Sequence, residues 1–350
     1  MKRAVAAASA LGIALVTPVL VTPNGVAGAV PTGTTPSGSA TSITAPAAIP
    51  APVAGYLPGT RCTAFPATNY WHADISRLPV NPRSAQWLSH MQATSRTLHP
   101  DFGPSFGDQP VPYGIPITYV ASNHPKVAVR FDYAAESNRG PYPLGRDTKV
   151  EGGTWQSGDR HTIVVDTGTC VVYETWATRL RSGRWYAGSG AMWSLKANGL
   201  RPLGFTSADA AGLPILPGLL RWDEVARGRV DHAIRFTTNI TDRTSVWPAR
   251  HQAGSVTSRA YPPMGARFRL KAAFSISRYP RDARVVLTAM KTYGLVLADN
   301  GSPWYFQGTV DTRWPASVYQ ALKSVPASAF EAVDAARLRI SPDSAAARRL

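Results

Sequence analysis

Acidic side chains are in short supply in this chain: 21 Asp and Glu stand against 37 Lys and Arg, a formal net charge of +16 at neutral pH. So basic a balance invites nucleic acid as a partner. The arginines, however, are spread along the sequence and never gather into a block, so nucleic acid is set aside. Cysteine is nearly absent. Only Cys62 and Cys170 occur, without the paired spacing of a zinc site, so there is no cysteine metal signature. Beyond residue 21 no apolar run is long enough to span a bilayer. Also missing are an H-E-x-x-H zinc helix, a phosphate-binding P-loop and a Rossmann glycine fingerprint, and no cofactor is expected. Gly103-Pro104-Ser105-Phe106-Gly107 matches G-x-S-x-G, but Pro100 precedes it and Pro110 and Pro112 follow. No helix can start there, as a nucleophile elbow requires.

What is present begins with an export signal. Lys2 and Arg3 precede an apolar run from Ala4 to Val21, and Ala27-Gly28-Ala29 offers small residues for cleavage. Removing residues 1–29, which hold two bases and no acid, leaves +14 (16 − 2). Residues 30–60 carry no charge and are rich in Pro, Thr, Ser and Ala. Such a stretch buries too little apolar surface to offset ordering and reads as a disordered stalk. Residues 61–335 read as a single β-rich globular domain without repeats, and 336–350 as a basic tail frayed at its end. The expected location is extracellular or cell-surface. There Cys62 and Cys170 would join, tying the first residues of the domain to its middle.

Within the domain the pattern is mainly β. Strands are predicted at Val127–Tyr133, His161–Val165, Cys170–Trp176, Trp185–Trp193, Val230–Thr238, Ala266–Ile276 and Gly294–Ala298. Short helices are predicted at Pro82–Met91, Pro280–Tyr293 and Pro315–Lys323, each with proline near its start, where a missing N–H costs nothing. Alternating strands with Gly/Pro-rich connections indicate a β-sandwich or jelly-roll-like domain with a few short peripheral helices. In Ala266–Ile276 the alternation puts Phe268 and Leu270 on a packed face and Arg267, Arg269 and Lys271 on a wet one, a basic ladder able to meet an anionic polymer. By the same logic His232 points inward and Arg235 outward.

One hairpin can be registered. A tight turn at Thr167-Gly168 pairs residues whose numbers sum to 335, which sets His161 opposite Glu174 beside Ile163, Val165 and Val172. A carboxylate facing an imidazole at the end of an apolar stripe can hold one tautomer or share a proton. The run Ser207–Glu224 is the least ordinary. Asp209 sits among small residues, Pro214 and Pro217 forbid a regular helix, and Asp223 and Glu224 follow Trp222. An apolar segment that cannot be a regular element is a loop packed rigidly on a scaffold, where sites are built. Asp299 closes an apolar strand beside Trp304.

The segments SGDRHTIVVDTGTC, SADAAGLPILPGLLRWDEV, HAIRFT, PPMGARFRLKA and YGLVLADNGSPWYFQG resemble a widespread family of secreted bacterial proteins to which no activity is attached. The resemblance covers roughly Phe65 to Val333 and implies a common secreted domain, with no catalytic residue to carry over. The residues themselves point to a glycan-acting enzyme, a glycoside hydrolase or polysaccharide lyase. His161, Glu174, Asp209 and Asp299 are the catalytic candidates, and Asp223, Glu224, His232, Arg235, Trp222 and Trp304 the substrate-binding ones. Hydrolysis uses two carboxylates; elimination would use His161 or Tyr173 as base with Arg235 on a uronate. The alternative is a non-catalytic protein that binds carbohydrate or a cell surface. The expected partner in either case is an extracellular polysaccharide or cell-wall polymer.

Overall fold

The computed structural model describes residues 55–103, 113–153 and 158–349. The expected signal segment, most of the stalk, Ser157 and part of the Gly103–Gly107 motif lie outside these residues. The strands are β1 (His99–Asp101), β2 (Ile117–Val120), β3 (Val129–Phe131), β4 (Thr162–Asp166), β5 (Val171–Trp176), β6 (Arg179–Arg181) and β7 (Arg184–Ala187). Then come β8 (Ser189–Ser194), β9 (Ile234–Thr238), β10 (Arg267–Leu270), β11 (Leu295–Asn300), β12 (Tyr305–Gln307) and β13 (Phe330–Val333). Four α-helices accompany them: α1 (Ser84–His90), α2 (Trp222–Arg227), α3 (Arg281–Thr292) and α4 (Ala316–Lys323). The described chain is mainly β with a few short helices, as its pattern indicates.

Three sheets result, in strand orders β1-β12-β9-β11-β10-β13, β2-β4-β5-β8 and β3-β7-β6. The second and third share a core of Val120, Val129, Tyr142, Val164, Tyr173, Trp185 and Ala187. The opposite face of the second sheet carries Ile163, Val165, Val172 and Trp193, covered by Ile215, Leu216 and Leu219 of the proline-braced loop. The six-stranded sheet has its own core, where Phe236, Phe268, Trp304 and Phe330 pack together. α3 buries Ala283, Val286, Leu287 and Met290, the i, i+3, i+4, i+7 stripe of an amphipathic helix. The run Trp185–Trp193, expected as one strand, is two. It breaks at Gly188, where a Cβ would meet the Trp176 ring at 2.2 Å, and there the chain passes from the third sheet to the second.

Several expectations are corrected. The hairpin turn takes four residues, Thr167 to Cys170. Cys170 adopts a φ of 56°, and Asp166 Oδ1 accepts from the Gly168 and Thr169 amides. The register therefore slips by two, setting Ile163, not His161, opposite Glu174. A slip of two preserves the faces, so Ile163, Val165, Val172 and Glu174 still share one side.

The basic ladder is not wet. β10 is a central strand, and Arg267 is buried, donating to the carbonyls of Tyr293 and Tyr70. Arg269 donates to Ile75, Ser76 and Leu78 carbonyls and pairs with Glu331; Lys271 reaches the Ser328 carbonyl. Arg267 and Arg269 satisfy main-chain acceptors of the 70–78 segment, which covers that face, so they form no open ladder for a polyanion.

Neither end of the domain falls where expected. Leu57 is already buried, and Leu338, Ala345 and Ala347 are buried in place of a frayed tail. Bridges of Asn69 with Ala346 and Gly199 with Ser344 hold the last residues down.

The disulfide is formed: Cys62 and Cys170 are bonded with Cα atoms 5.4 Å apart. Among the described residues no helix is long and apolar enough to cross a membrane.

Candidate functional site

Arg235 is the hub of a polar cluster between the six-stranded sheet and the β2-β4-β5-β8 sheet. It lies on central strand β9, on the face opposite Phe236, and its side chain is 2% exposed. It points away from the apolar core yet not into water, because the 207–220 loop lies over it. A Cβ on Gly218 would stand 3.0 Å from the Arg235 Cβ and 2.7 Å from the Trp71 ring, so only glycine lets the loop approach this closely. Arg235 donates to Asp209 Oδ1 at 2.8 Å and stands 3.6 Å from Asp299 Oδ2.

Asp209 is presented by a loop tied to itself, with Ser207 Oγ donating to the Leu213 carbonyl at 2.6 Å and accepting from the Asp209 amide at 2.9 Å. Asp299 reaches the cluster through a bulge. Leu297 pairs with Phe236, but Asp299 pairs with Thr237, so Ala298 is the extra residue. Without it Asp299 would share the apolar face of Leu297; with it the carboxylate turns to the face of Arg235. The bulge is also a docking point, since the Ala298 carbonyl accepts from the Ala211 amide.

The other sheet contributes Glu174, fully buried, whose carboxylate accepts from the amides of Ile215 and Leu216 at 2.8 Å each. His161 precedes β4 and is bonded through Nδ1 to Glu151 Oε2 at 2.7 Å, while the Glu151 amide donates to its carbonyl. His161 Nε2 is buried without a partner among the described residues, as is Asp209 Oδ2. Asp101 on edge strand β1 accepts from Gln307 at 3.3 Å.

The charges explain the proton affinities. Arg235 and His161 are the cations; Asp209, Asp299, Glu174 and Glu151 are the acids, so full ionisation would leave an excess of negative charge. Burial pushes Glu174 up to about 7, against its two amide donors. Burial, with the neighbouring Asp209 charge, likewise lifts Asp299 to about 7 despite Arg235. Burial raises Asp209 as well, opposed by Arg235. Glu151 behaves oppositely: burial would raise it, but His161 outweighs this and holds it below the usual carboxylate range. Burial lowers His161, and Glu151 overcomes that to bring it to about 9. Of these four acids the two more exposed, Asp299 (26% exposed) and Glu151 (27% exposed), are thus driven in opposite directions.

The four catalytic candidates His161, Glu174, Asp209 and Asp299, together with Arg235, meet here. The remaining candidates do not. Trp304 is fully buried beneath β9 with its Nε1 on the Met91 carbonyl, so it offers no surface to a substrate. Trp222 packs edge-on against Trp314. Asp223, Glu224 and His232 form a separate group with Arg221: Glu224 pairs with Arg221 and accepts from His232 Nε2 at 3.1 Å. Tyr173 lies on the far face of the β4–β5 sheet, bonded to Lys126, and cannot act beside Arg235. Glu151, Asp101 and Gln307 escape a sequence reading because a Glu-Gly-Gly turn and two three-residue strands, β1 and β12, show no local sign of convergence.

Among the described residues no group of three or more His, Cys, Asp or Glu is placed to hold a metal. Comparisons with protein-family models, curated proteins and solved structures each found no match.

Proposed function

We propose that the chain is a secreted glycan-acting enzyme, a glycoside hydrolase whose working groups are Asp299 and Glu151. The observation that carries this reading is that two partly exposed carboxyls of the cluster, Asp299 against Arg235 and Glu151 against His161, have their proton affinities driven apart. Such a pair divides into a proton donor and a proton acceptor at the same pH. Asp299, protonated below about pH 7, gives its proton to the glycosidic oxygen as the bond to the anomeric carbon breaks. Glu151, kept ionised by His161, takes a proton from the water whose oxygen bonds to that carbon. Arg235, itself bonded to Asp209, holds Asp299 in place, and Glu174 holds the loop that carries Asp209. The disulfide suits an oxidising compartment, in accord with export.

A second reading, a non-catalytic glycan-binding protein, is favoured by partly exposed aromatics on the β1–β12 edge. His99 stacks on Tyr305 at 3.9 Å, with Tyr319 edge-on at 6.3 Å. Stacked rings suit sugar faces.

The test is a panel of cell-wall and plant polysaccharides incubated with purified protein, measuring new reducing ends and unsaturated sugars together. Hydrolysis by the native protein should fall about 10²–10⁴-fold in D299N and E151Q with the fold intact, and its rate should decline above about pH 7 as Asp299 loses its proton. Polysaccharide retention without new ends, unchanged in both variants, establishes the binding protein instead.

A further inference from the structure

A second charged site lies apart from the Arg235 cluster. The segment from 63 to 74, helix α2, the approach to β9 and the last described residues enclose a cavity of about 520 Å³. Five arginines line it: Arg221, Arg227, Arg229, Arg348 and Arg349. Three carboxylates line it as well, and each already has a donor. Glu224 is engaged by Arg221 and His232, Asp231 by Arg229, and Asp74 by the Ser76 amide.

The guanidinium groups are only partly matched in return, although Arg229 is held by Asp231. Arg221 is buried and paired with Glu224, with Asp223 4.0 Å from its Nε, yet its Nε and Nη1 have no hydrogen-bond acceptor, and Arg227 Nη1 stands 3.7 Å from Asp223 without a bond. Arg348 and Arg349 form no ion pair among the described residues. Buried guanidinium N–H groups without acceptors are expensive, and a planar fork of donors matches the oxygens of a carboxylate or phosphate. The exposed rim at Arg229, Arg348 and Arg349 leaves an approach from solvent.

We propose that this cavity binds an oxyanion, the phosphate or carboxylate of a small molecule or of a single unit of a polymer, with Arg221 at its floor and Arg227, Arg348 and Arg349 around it. The site is independent of the hydrolytic reading, since none of these residues touches Arg235, Asp299 or Glu151.

The experiment is calorimetric titration of the purified protein with inorganic phosphate, glucuronate and glucose, each at ionic strength matched with sodium chloride. Saturable binding of phosphate or glucuronate, weakened about 10-fold or more in R227Q and in the exposed double variant R348Q/R349Q, supports the proposal. Phosphate alone binding assigns a phosphate ligand, and glucuronate alone a sugar acid; glucose should not bind. D299N should bind as the native protein does, which separates this site from the hydrolytic one. If phosphate and glucuronate give no more heat than chloride, or if both arginine variants bind as tightly as the native protein, the proposal is overturned.

Discussion

Glu174 shows how a single side chain can hold a loop that cannot hold itself. Pro214 and Pro217 have no N–H to give, so between them the backbone offers only the amides of Ile215 and Leu216, and one buried carboxylate accepts from both. Removing it in E174A strands two buried donors and should cost about 2–4 kcal/mol in urea denaturation. The pH dependence has a definite sign. The folded pKa of about 7 lies above the ordinary value of 4.5, so between these values the native state binds more protons than the unfolded one. Stability therefore falls as pH rises through that window, by on the order of 3 kcal/mol for this group. E174Q keeps an amide oxygen as acceptor but cannot ionise, so its stability should change less between pH 5 and pH 7.5. A native-like slope in E174Q would assign the titration to another group. Asp299, also raised to about 7, tilts stability the same way and would supply the remaining slope.

At the scale of elements, the site depends on two local departures from regular structure. The bulge at Ala298 turns Asp299 toward Arg235 and offers its carbonyl to the Ala211 amide, so one irregular residue places both the acid and the loop. Gly218 is the other. Its neighbours are the Trp71 ring and the Cβ of Arg235, and neither can swing aside as a flexible chain end would. G218A should therefore lower stability by about 1–3 kcal/mol, read as a lower thermal midpoint. It should also reduce the proposed hydrolysis, because the loop must lift from Arg235. If G218A melts as the native protein does, the loop has slack that its packing does not show. The 207–220 segment thus joins the two sheets: Ile215 and Leu216 pack on the face of Val172, while Asp209 bonds to a residue of β9.

For the whole molecule, the Cys62–Cys170 bond closes a separation of 108 residues and ties Leu57, Cys62 and Phe65 into the core beneath the β4–β5 hairpin. In the chain-entropy model a loop of about 100 residues is worth about 4–5 kcal/mol. The double variant C62S/C170S should lose a stability of this order in chemical denaturation while remaining folded at low temperature; an unchanged midpoint would leave the bond without a stabilising role. Much of this architecture was readable in the chain alone. Period-two alternation and proline at helix starts located most strands and three helices, because these signals act between residues close in sequence. The cysteine pair was readable because only one pairing exists. The candidacy of His161, Glu174, Asp209 and Asp299 was readable too, since isolated acids and imidazoles at the ends of apolar runs are chemically out of place. Alternation could not say which polar face is covered by other chain. Arg235, Arg267 and Arg269 read as outward and wet, yet the first two lie buried and Arg269 is largely covered by segments distant in sequence, which accept their hydrogen bonds. Nor could it give the hairpin register, set by Asp166 accepting the turn amides, or the bulge at Ala298. It gave no hint of Glu151, which matters only because His161 lies against it. The sequence by itself determined which segments alternate and which polar groups are unusual; the tertiary structure decided which of them meet, because burial and charge pairing depend on what the rest of the chain lays over each strand.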